Sequence, residues 1–186
     1  MSADTRDQIA LRAWSEGDLG LLKRLLGDPA LMKDLGGPEM PDAILSRHER
    51  YLGSDPTRTG LFAVVLGPER TAVGWVGYWE STWAGEDVWE CGWHVLLEYQ
   101  GRGVATAATA LAIAELRKQS IHRYLHAFPS VENAASNALC ATLGFMLLGE
   151  VEVEYPVGQM MHSNNWRLDL TLPHADNGAV DNSNGK

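Results

Sequence analysis

Only two cysteines, Cys91 and Cys140, occur in 186 residues, and their spacing makes neither a disulfide framework nor a zinc site. No metal is expected, and a reducing cytoplasm is the predicted setting. No apolar run reaches the ~18 residues of a membrane-spanning helix. The polar stretch Met1 to Gln8 has no apolar signal core, so neither secretion nor membrane association is expected. Positive charge is also short: 15 Lys and Arg stand against 24 Asp and Glu, a net charge of −9. A nucleic-acid binder needs the opposite balance. Acidity of this size serves solubility and is compatible with a cationic substrate such as an amine. The chain shows no internal repeat and no domain linker. One domain is expected over residues 1–172, and the polar residues 173–186, rich in Asn, Gly and Asp, read as a disordered tail.

What is present is an ordinary core-forming composition, 45% hydrophobic and 21% charged, with seven tryptophans. The most informative stretch is Tyr99–Gln100–Gly101–Arg102–Gly103–Val104–Ala105–Thr106. It is a glycine-broken turn between a β-like run, Val88 to Leu97, and an alanine-rich helical run, Ala105 to Lys118. Such a turn can aim several backbone N–H groups at one point, and the helix adds its unpaired N-terminal amides and the positive end of its dipole. An anion fits there, and a phosphate or pyrophosphate best. Gly101 and Gly103 carry no Cβ to hold the anion away and permit positive φ, while Arg102 offers a cation. The loop lacks the third glycine and downstream acid of a dinucleotide-binding fingerprint, and no Gly-Lys-Ser/Thr follows as in a Walker loop.

Periodicity supplies the rest of the order. Gln8 to Ala13 alternates as a strand, and Leu19, Leu22, Leu25 and Leu26 form a helical stripe ending at Gly27. A second helix is predicted over Ala43 to Leu52. Leu61 to Leu66, Ala72 to Trp83 and Val88 to Leu97 read as a three-strand meander. After the alanine-rich helix come a strand at Arg123 to Phe128 and a helix at Asn133 to Leu143 stopped by Gly144. Two closing strands follow, Phe145 to Tyr155 and Asn165 to Leu172. The fold class is therefore α/β, with helices on the faces of one mixed sheet. The unit from Val88 to Phe128 should be a right-handed crossover.

Two motifs at this separation resemble those of the GNAT superfamily of acyl-CoA-dependent N-acetyltransferases. Gln100–Gly101–Arg102–Gly103–Val104–Ala105 is similar to that family's Gln/Arg-x-x-Gly-x-Gly/Ala loop. Asn133–Ala134–Ala135–Ser136, followed by Leu143–Gly144–Phe145, is similar to its later helix motif. Leu11–Arg12, Asp28–Pro29 and Leu35–Gly36–Gly37–Pro38 further resemble the branch that holds the ribosomal-protein alanine acetyltransferases, of RimJ and RimL type. The resemblance covers roughly Ile9 to Leu172. It implies a mostly antiparallel central sheet with splayed middle strands and about four helices, and it implies acetyl-CoA as co-substrate. The pyrophosphate would lie on the amides of Gly101, Arg102, Gly103, Val104 and Ala105, near Gln100 and the Thr106 hydroxyl. The pantetheine arm would fill the splay against the backbone of Val95 and Leu97, with a bulge near Leu96. Asn133 would contact the arm from the other wall, cap its own helix, or do both. A homodimer is compatible with the family.

Acetyl transfer to an amine needs a neutral nitrogen, yet an alkyl amine arrives protonated. Attack gives an oxyanion that backbone N–H donors can stabilise, and no covalent enzyme intermediate is needed when one wedge holds both reactants. Glu90, on the strand before the loop, matches the position of a family glutamate that relays the proton through water. A solvated or ion-paired strand glutamate is the alternative. His94 has a suitable intrinsic pKa and an even offset from Glu90, so both should face one side of the strand; it shares the role, orients substrate or packs. Many family members place a tyrosine acid seven residues after the motif asparagine, where this chain has Cys140. The thiol is a weak donor, leaving water, Ser136 or Cys140 itself to assist the leaving thiolate. Trp75, Tyr78, Trp79, Trp83, Trp93 and His94 are candidates to line the acceptor site, with Tyr155, His162, Asn164 and Trp166 opposite. The expected activity is transfer to a small-molecule primary amine. A protein N-terminal acetyltransferase and a non-catalytic acyl-CoA sensor are the alternatives.

Overall fold

The structure, a computed structural model, describes residues 8–156 and 158–172; the tail expected over 173–186 lies outside them. The chain opens with β1 (Ile9–Ala13), followed by α1 (Leu19–Leu26) and α2 (Pro41–Leu52). The meander is β2 (Thr59–Leu66), β3 (Thr71–Trp83) and β4 (Glu86–Val95). Then come α3 (Val104–Arg117), β5 (Tyr124–Ala127), α4 (Ala134–Thr142), β6 (Met146–Glu154) and β7 (Met160–Asp169). The sheet order is β1-β2-β3-β4-β5-β7-β6. Every neighbouring pair is antiparallel except β4 and β5. A parallel pair requires a crossover, and α3 supplies it.

Local chemistry explains the boundaries. The leucine stripe of α1 buries Leu21, Leu22, Leu25 and Leu26, one face of a 3.6-residue period. Pro41 opens α2, two residues before the sequence pattern suggested, because the first helical turn does not need the proline's missing N–H. Gly144, at φ 82°, ends α4 in the left-handed region. β4 stops at Val95 rather than Leu97: a 3-10 turn, Leu97–Tyr99, takes over. The bulge expected near Leu96 is not there. Pairing of β3 with β4 runs in unbroken register from Trp83↔Glu86 to Gly74↔Val95; the irregularities lie between β2 and β3 at Val64/Val65 and between β6 and β7 at Leu147/Gly149.

Two apolar clusters hold the sheet from opposite faces. On one face α3 and α4 set Val104, Ala108, Leu116, Leu139 and Cys140 against Val76, Trp89 and Leu125. On the other, α1, α2 and the segment between them set Leu22, Leu25, Ile44 and Met32 against Ala63, Trp75 and Leu96. Alternation along β4 and along β3 from Trp75 onward decides which side chain joins which cluster; the irregularity at Gly74 switches the parity, so Val73 joins the first cluster and Trp75 the second.

Close approach of β3 and β4 depends on Gly74. A Cβ there would sit well inside van der Waals contact of the His94 carbonyl oxygen. Gly74→Ala should therefore destabilise the fold by about 1–3 kcal/mol, the usual range for overpacking. Denaturant unfolding reads this directly, and an unchanged midpoint would show that the two strands are not held this closely.

Candidate active site

The functional cleft originates in a strand that loses its neighbour. β4 pairs with β5 only at Trp89↔Leu125 and Glu90↔His126, although β4 continues to Val95. Leu96 donates its N–H to the Val73 carbonyl at 2.9 Å, toward β3. Main-chain groups alternate sides along a strand, so those of Cys91, Trp93 and Val95 point away from β3, into the gap. One of these groups is taken: the Gln100 side-chain amide donates to the Val95 carbonyl at 2.9 Å. Buried backbone groups need partners, and an extended ligand lying in the gap would supply them as an added strand does.

At the mouth of this gap lies the glycine turn. Gly101 and Gly103 have φ of 69° and 75°, and Gly103 is the N-cap of α3. The first amide of the helix with a backbone partner is that of Ala107, bonded to the Gly103 carbonyl at 3.0 Å. Among the described residues, the amides of residues 101–106 make no backbone bond. Six consecutive free N–H groups at a helix N-terminus form an anion cradle of the kind a pyrophosphate fits. Arg102 is exposed and lies over the Tyr99 ring, 5.8 Å from its centroid, beside the cradle rather than in the cleft wall.

The cleft is large, about 1330 Å³, and runs from the cradle past Asn133 and Ser136 on α4 to Glu90, Trp75, Trp79, Trp83 and Trp93. Glu90 is half-buried. Burial pushes its carboxyl above the usual value, against the opposing pull of the Ser81 and Trp79 side chains. His94 lies on the Trp75 ring, centroids 5.6 Å apart and planes at 22°. Burial, and after it the charge of Arg47, lowers its pKa to about 4, so the imidazole is neutral near pH 7.

A family model for the acetyltransferase (GNAT) domain matches residues 8–146. The chain belongs to that family. No curated protein sequence matches it, but solved structures share the fold. A Vibrio cholerae spermidine N-acetyltransferase in complex with CoA and spermine is 18% identical, with a TM-score of 0.72 over 89% of this chain and 97% of that one. RimL, a ribosomal-protein α-N-acetyltransferase in complex with CoA, is 16% identical, with a TM-score of 0.70 over 87% of this chain and 94% of its own. RimJ from Mycobacterium smegmatis, in complex with CoA-disulfide, is 19% identical, with a TM-score of 0.69 over 87% and 81%.

Most of the residues proposed from sequence meet in this GNAT cleft. Gln100, Gly101, Gly103, Val104, Ala105, Thr106, Val95, Leu97, Asn133, Ser136, Glu90, Trp75, Trp79, Trp83, Trp93, His94 and Tyr155 line it. Leu97 does so from the 3-10 turn, 46% exposed, not as a strand residue offering its backbone. Asn133 caps α4, its Oδ1 accepting from the Ser136 N–H at 3.0 Å, which leaves its amide nitrogen for the cleft.

Other expectations need correction. Tyr78 points to the opposite face: it is 4% exposed, packs on Trp89 and accepts a hydrogen bond from Gln119 at 3.0 Å. Its odd offset from Trp75 and Trp79 puts it on the other side of β3. Cys140 is fully buried in the α3–α4 cluster, and burial pushes its thiol up to about 12; it does not line the cleft and is a packing residue. His162 is exposed and pairs with Glu150 at 3.0 Å. Asn164 and Trp166 both donate to Asn137 Oδ1, at 2.7 and 2.8 Å, bracing α4 from behind. The opposite lip is instead Glu152, Val153, Glu154, Tyr155 and Met161.

Arg47, Tyr51 and Lys33 also line the cleft, and the sequence pattern did not single them out. Arg47 and Tyr51 are four apart and share a face of α2, but polar positions on an amphipathic helix ordinarily face water. Only the closure of α2 over the sheet turns them inward.

The cradle yields a direct test. A Cβ on Gly101 would meet nothing within 4 Å, so Gly101→Ala should keep the fold at a cost of about 1 kcal/mol of left-handed strain. Relaxation of that φ re-aims the neighbouring amides, and affinity for CoA should fall roughly tenfold or more. Calorimetry decides; unaltered affinity would remove the cradle from the binding site.

Proposed function

We propose that this protein transfers an acetyl group from acetyl-CoA to a small-molecule primary amine, as a single-domain cytoplasmic enzyme that needs no metal and binds neither nucleic acid nor membrane. Homodimerisation is compatible with this reading. The six free amides before and within the first turn of α3 fit a diphosphate, and the unpaired inner edge of β4 fits an extended arm. Bound there, the coenzyme supplies an activated acetyl thioester.

Glu90 is the proposed general base, acting directly or through one water on the acceptor ammonium. Burial raises its proton affinity, bringing it nearer to the task of taking a proton close to neutral pH. Inward-facing amides of β4 stabilise the developing oxyanion. The aromatic walls exclude water and keep acceptor and thioester together. His94 packs and orients, because burial and then the Arg47 charge leave its imidazole a weak proton acceptor. With Cys140 in the core, water or Ser136 assists the departing thiolate.

The size of the acceptor is the finer point, and one observation supports a small molecule. The acceptor end of the cleft is bridged: Gly36, after α1, approaches the β6–β7 loop so closely that a Cβ would lie 2.6 Å from Pro156. The Arg47 charge reaches Tyr155 on the same loop. A roofed aromatic chamber suits a small amine, whereas a protein N-terminus needs an open groove. The ribosomal-protein reading keeps the support of the fold shared with RimL and RimJ.

Thiol release from acetyl-CoA should therefore be faster with small amines than with N-terminal peptides. Peptides turned over with the higher kcat/KM would favour the second reading, and tight acetyl-CoA binding without turnover of any amine would make the domain a sensor. Glu90→Gln should lower kcat by about 10²-fold or more, the scale of general-base catalysis, with acetyl-CoA affinity kept. As a base, Glu90 must be ionised, so wild-type kcat/KM should fall as pH drops through its raised pKa. That acid limb should vanish in the glutamine variant; a surviving limb assigns the base elsewhere. Cys140→Ala should leave kcat within about threefold, as befits a small buried residue; a collapse in kcat with the fold intact would restore the thiol as the acid.

A further inference from the structure

The acceptor chamber has two chemically different ends. At one end lies the carboxylate of Glu90, on β4 opposite Trp79 and His126. Toward α2 lie hydrogen-bond donors. Arg47 is held from behind by Glu39, whose oxygens take Nε at 3.2 Å and one terminal nitrogen at 2.5 Å. The two side chains are 19% and 10% exposed, and Glu39 does not line the cleft. Away from Glu39, the guanidinium hydrogen-bonds the Tyr51 and Tyr155 hydroxyls, so its charge and these two phenols form one donor cluster. A guanidinium gripped on one edge keeps its other donors in fixed directions, here on the cleft side.

Three further groups gather around this cation. The ring of Tyr51 lies 5.7 Å from that of Trp75. Tyr51 and Tyr155 both feel the Arg47 charge, yet burial raises both phenols, so each keeps its proton and can donate it. Trp75 is 6% exposed, lines the cleft, and its indole N–H has no partner. A buried donor without an acceptor carries a real cost, and a ligand oxygen in this corner would remove it. The stacked imidazole of His94 is neutral, and its buried Nδ1 is likewise unpaired.

We infer that the acceptor carries a carboxylate as well as its amine, with the carboxylate held at Arg47 and the Trp75 indole N–H and the amine directed toward Glu90. This rests on the acetyltransferase reading and narrows its substrate class to amino carboxylates. The polarity of the chamber sets the orientation: an ammonium near the Arg47 guanidinium is disfavoured, and a carboxylate near Glu90 is repelled. Along β4 the Cα atoms of Glu90 and His94 are about 13 Å apart at the usual rise per residue. The amine and the carboxylate therefore need not share one carbon, and a water can bridge Glu90 to the amine.

Matched pairs test this: amino carboxylates with α- or ω-amines against their carboxamides, with thiol release from acetyl-CoA as readout. Wild-type kcat/KM should favour the carboxylate of a pair by roughly tenfold or more, the scale of a charge-assisted contact. Arg47→Met should bring that ratio to about one, with acetyl-CoA affinity unchanged by calorimetry. Because this variant leaves Glu39 buried and unpaired, the ratio is also measured in Arg47→Met/Glu39→Gln, where the same collapse is expected. Carboxamides used as well as or better than carboxylates by the wild type overturn the inference, as does acetyl-CoA binding without turnover of any amino carboxylate. A preference that survives in the double variant does the same. Absence of acetyl-CoA binding would instead sink the acetyltransferase reading beneath it.

Discussion

Backbone hydrogen bonding governs this architecture, because every strand must find partners for its amides and carbonyls or leave them to a ligand. β4 satisfies one edge completely against β3 and abandons the other after Glu90. The parallel contact to β5 forces a crossover, and α3, which makes it, begins beside the open edge. The gap in the sheet and the free amides at the start of α3 thus have one origin. A ligand with a diphosphate at one end and an extended amide-bearing arm at the other answers both. The GNAT family assignment and the physical reading of the backbone meet at that point.

The two faces of the sheet then divide the labour. The α3–α4 face is mainly apolar and absorbs Tyr78 and Cys140, neither of which lines the cleft. The α1–α2 face is mixed. Its apolar cluster anchors Trp75 and Leu96, while its rim turns Arg47 and Tyr51 over the aromatic floor. Burial, with the Arg47 charge after it, keeps His94 neutral, and burial raises the proton affinity of Glu90. Burial favours the neutral form of each, so it strengthens the carboxylate as a proton acceptor and weakens the imidazole.

Much of this was legible beforehand, for identifiable reasons. Helix and strand periods gave the elements, since each buries a single face. Gly101 and Gly103 marked the cradle because only their backbone freedom allows it, and Asn133 marked the start of α4 because its side chain caps the helix. Glu90 was placed by its strand position relative to that turn. Strand parity, applied to Tyr78, would also have removed it from the acceptor wall, since Trp75 and Trp79 already fixed that face. The ends of β4 were less legible: no local signal distinguishes a strand that continues to Leu97 from one that yields to a 3-10 turn.

The sequence by itself determined the order of elements, the anion cradle, the candidate base and the family resemblance, because those depend on residues adjacent along the chain. Tertiary structure alone decided that α2 closes over the sheet and turns Arg47 and Tyr51 inward, that Asn164 and Trp166 brace α4, and that the thiol of Cys140 lies in the core. Each of these depends on contacts between residues distant along the chain, such as Trp166 with Asn137 or Gly36 with Pro156. Linear spacing carries no information about such contacts until the sheet order is known.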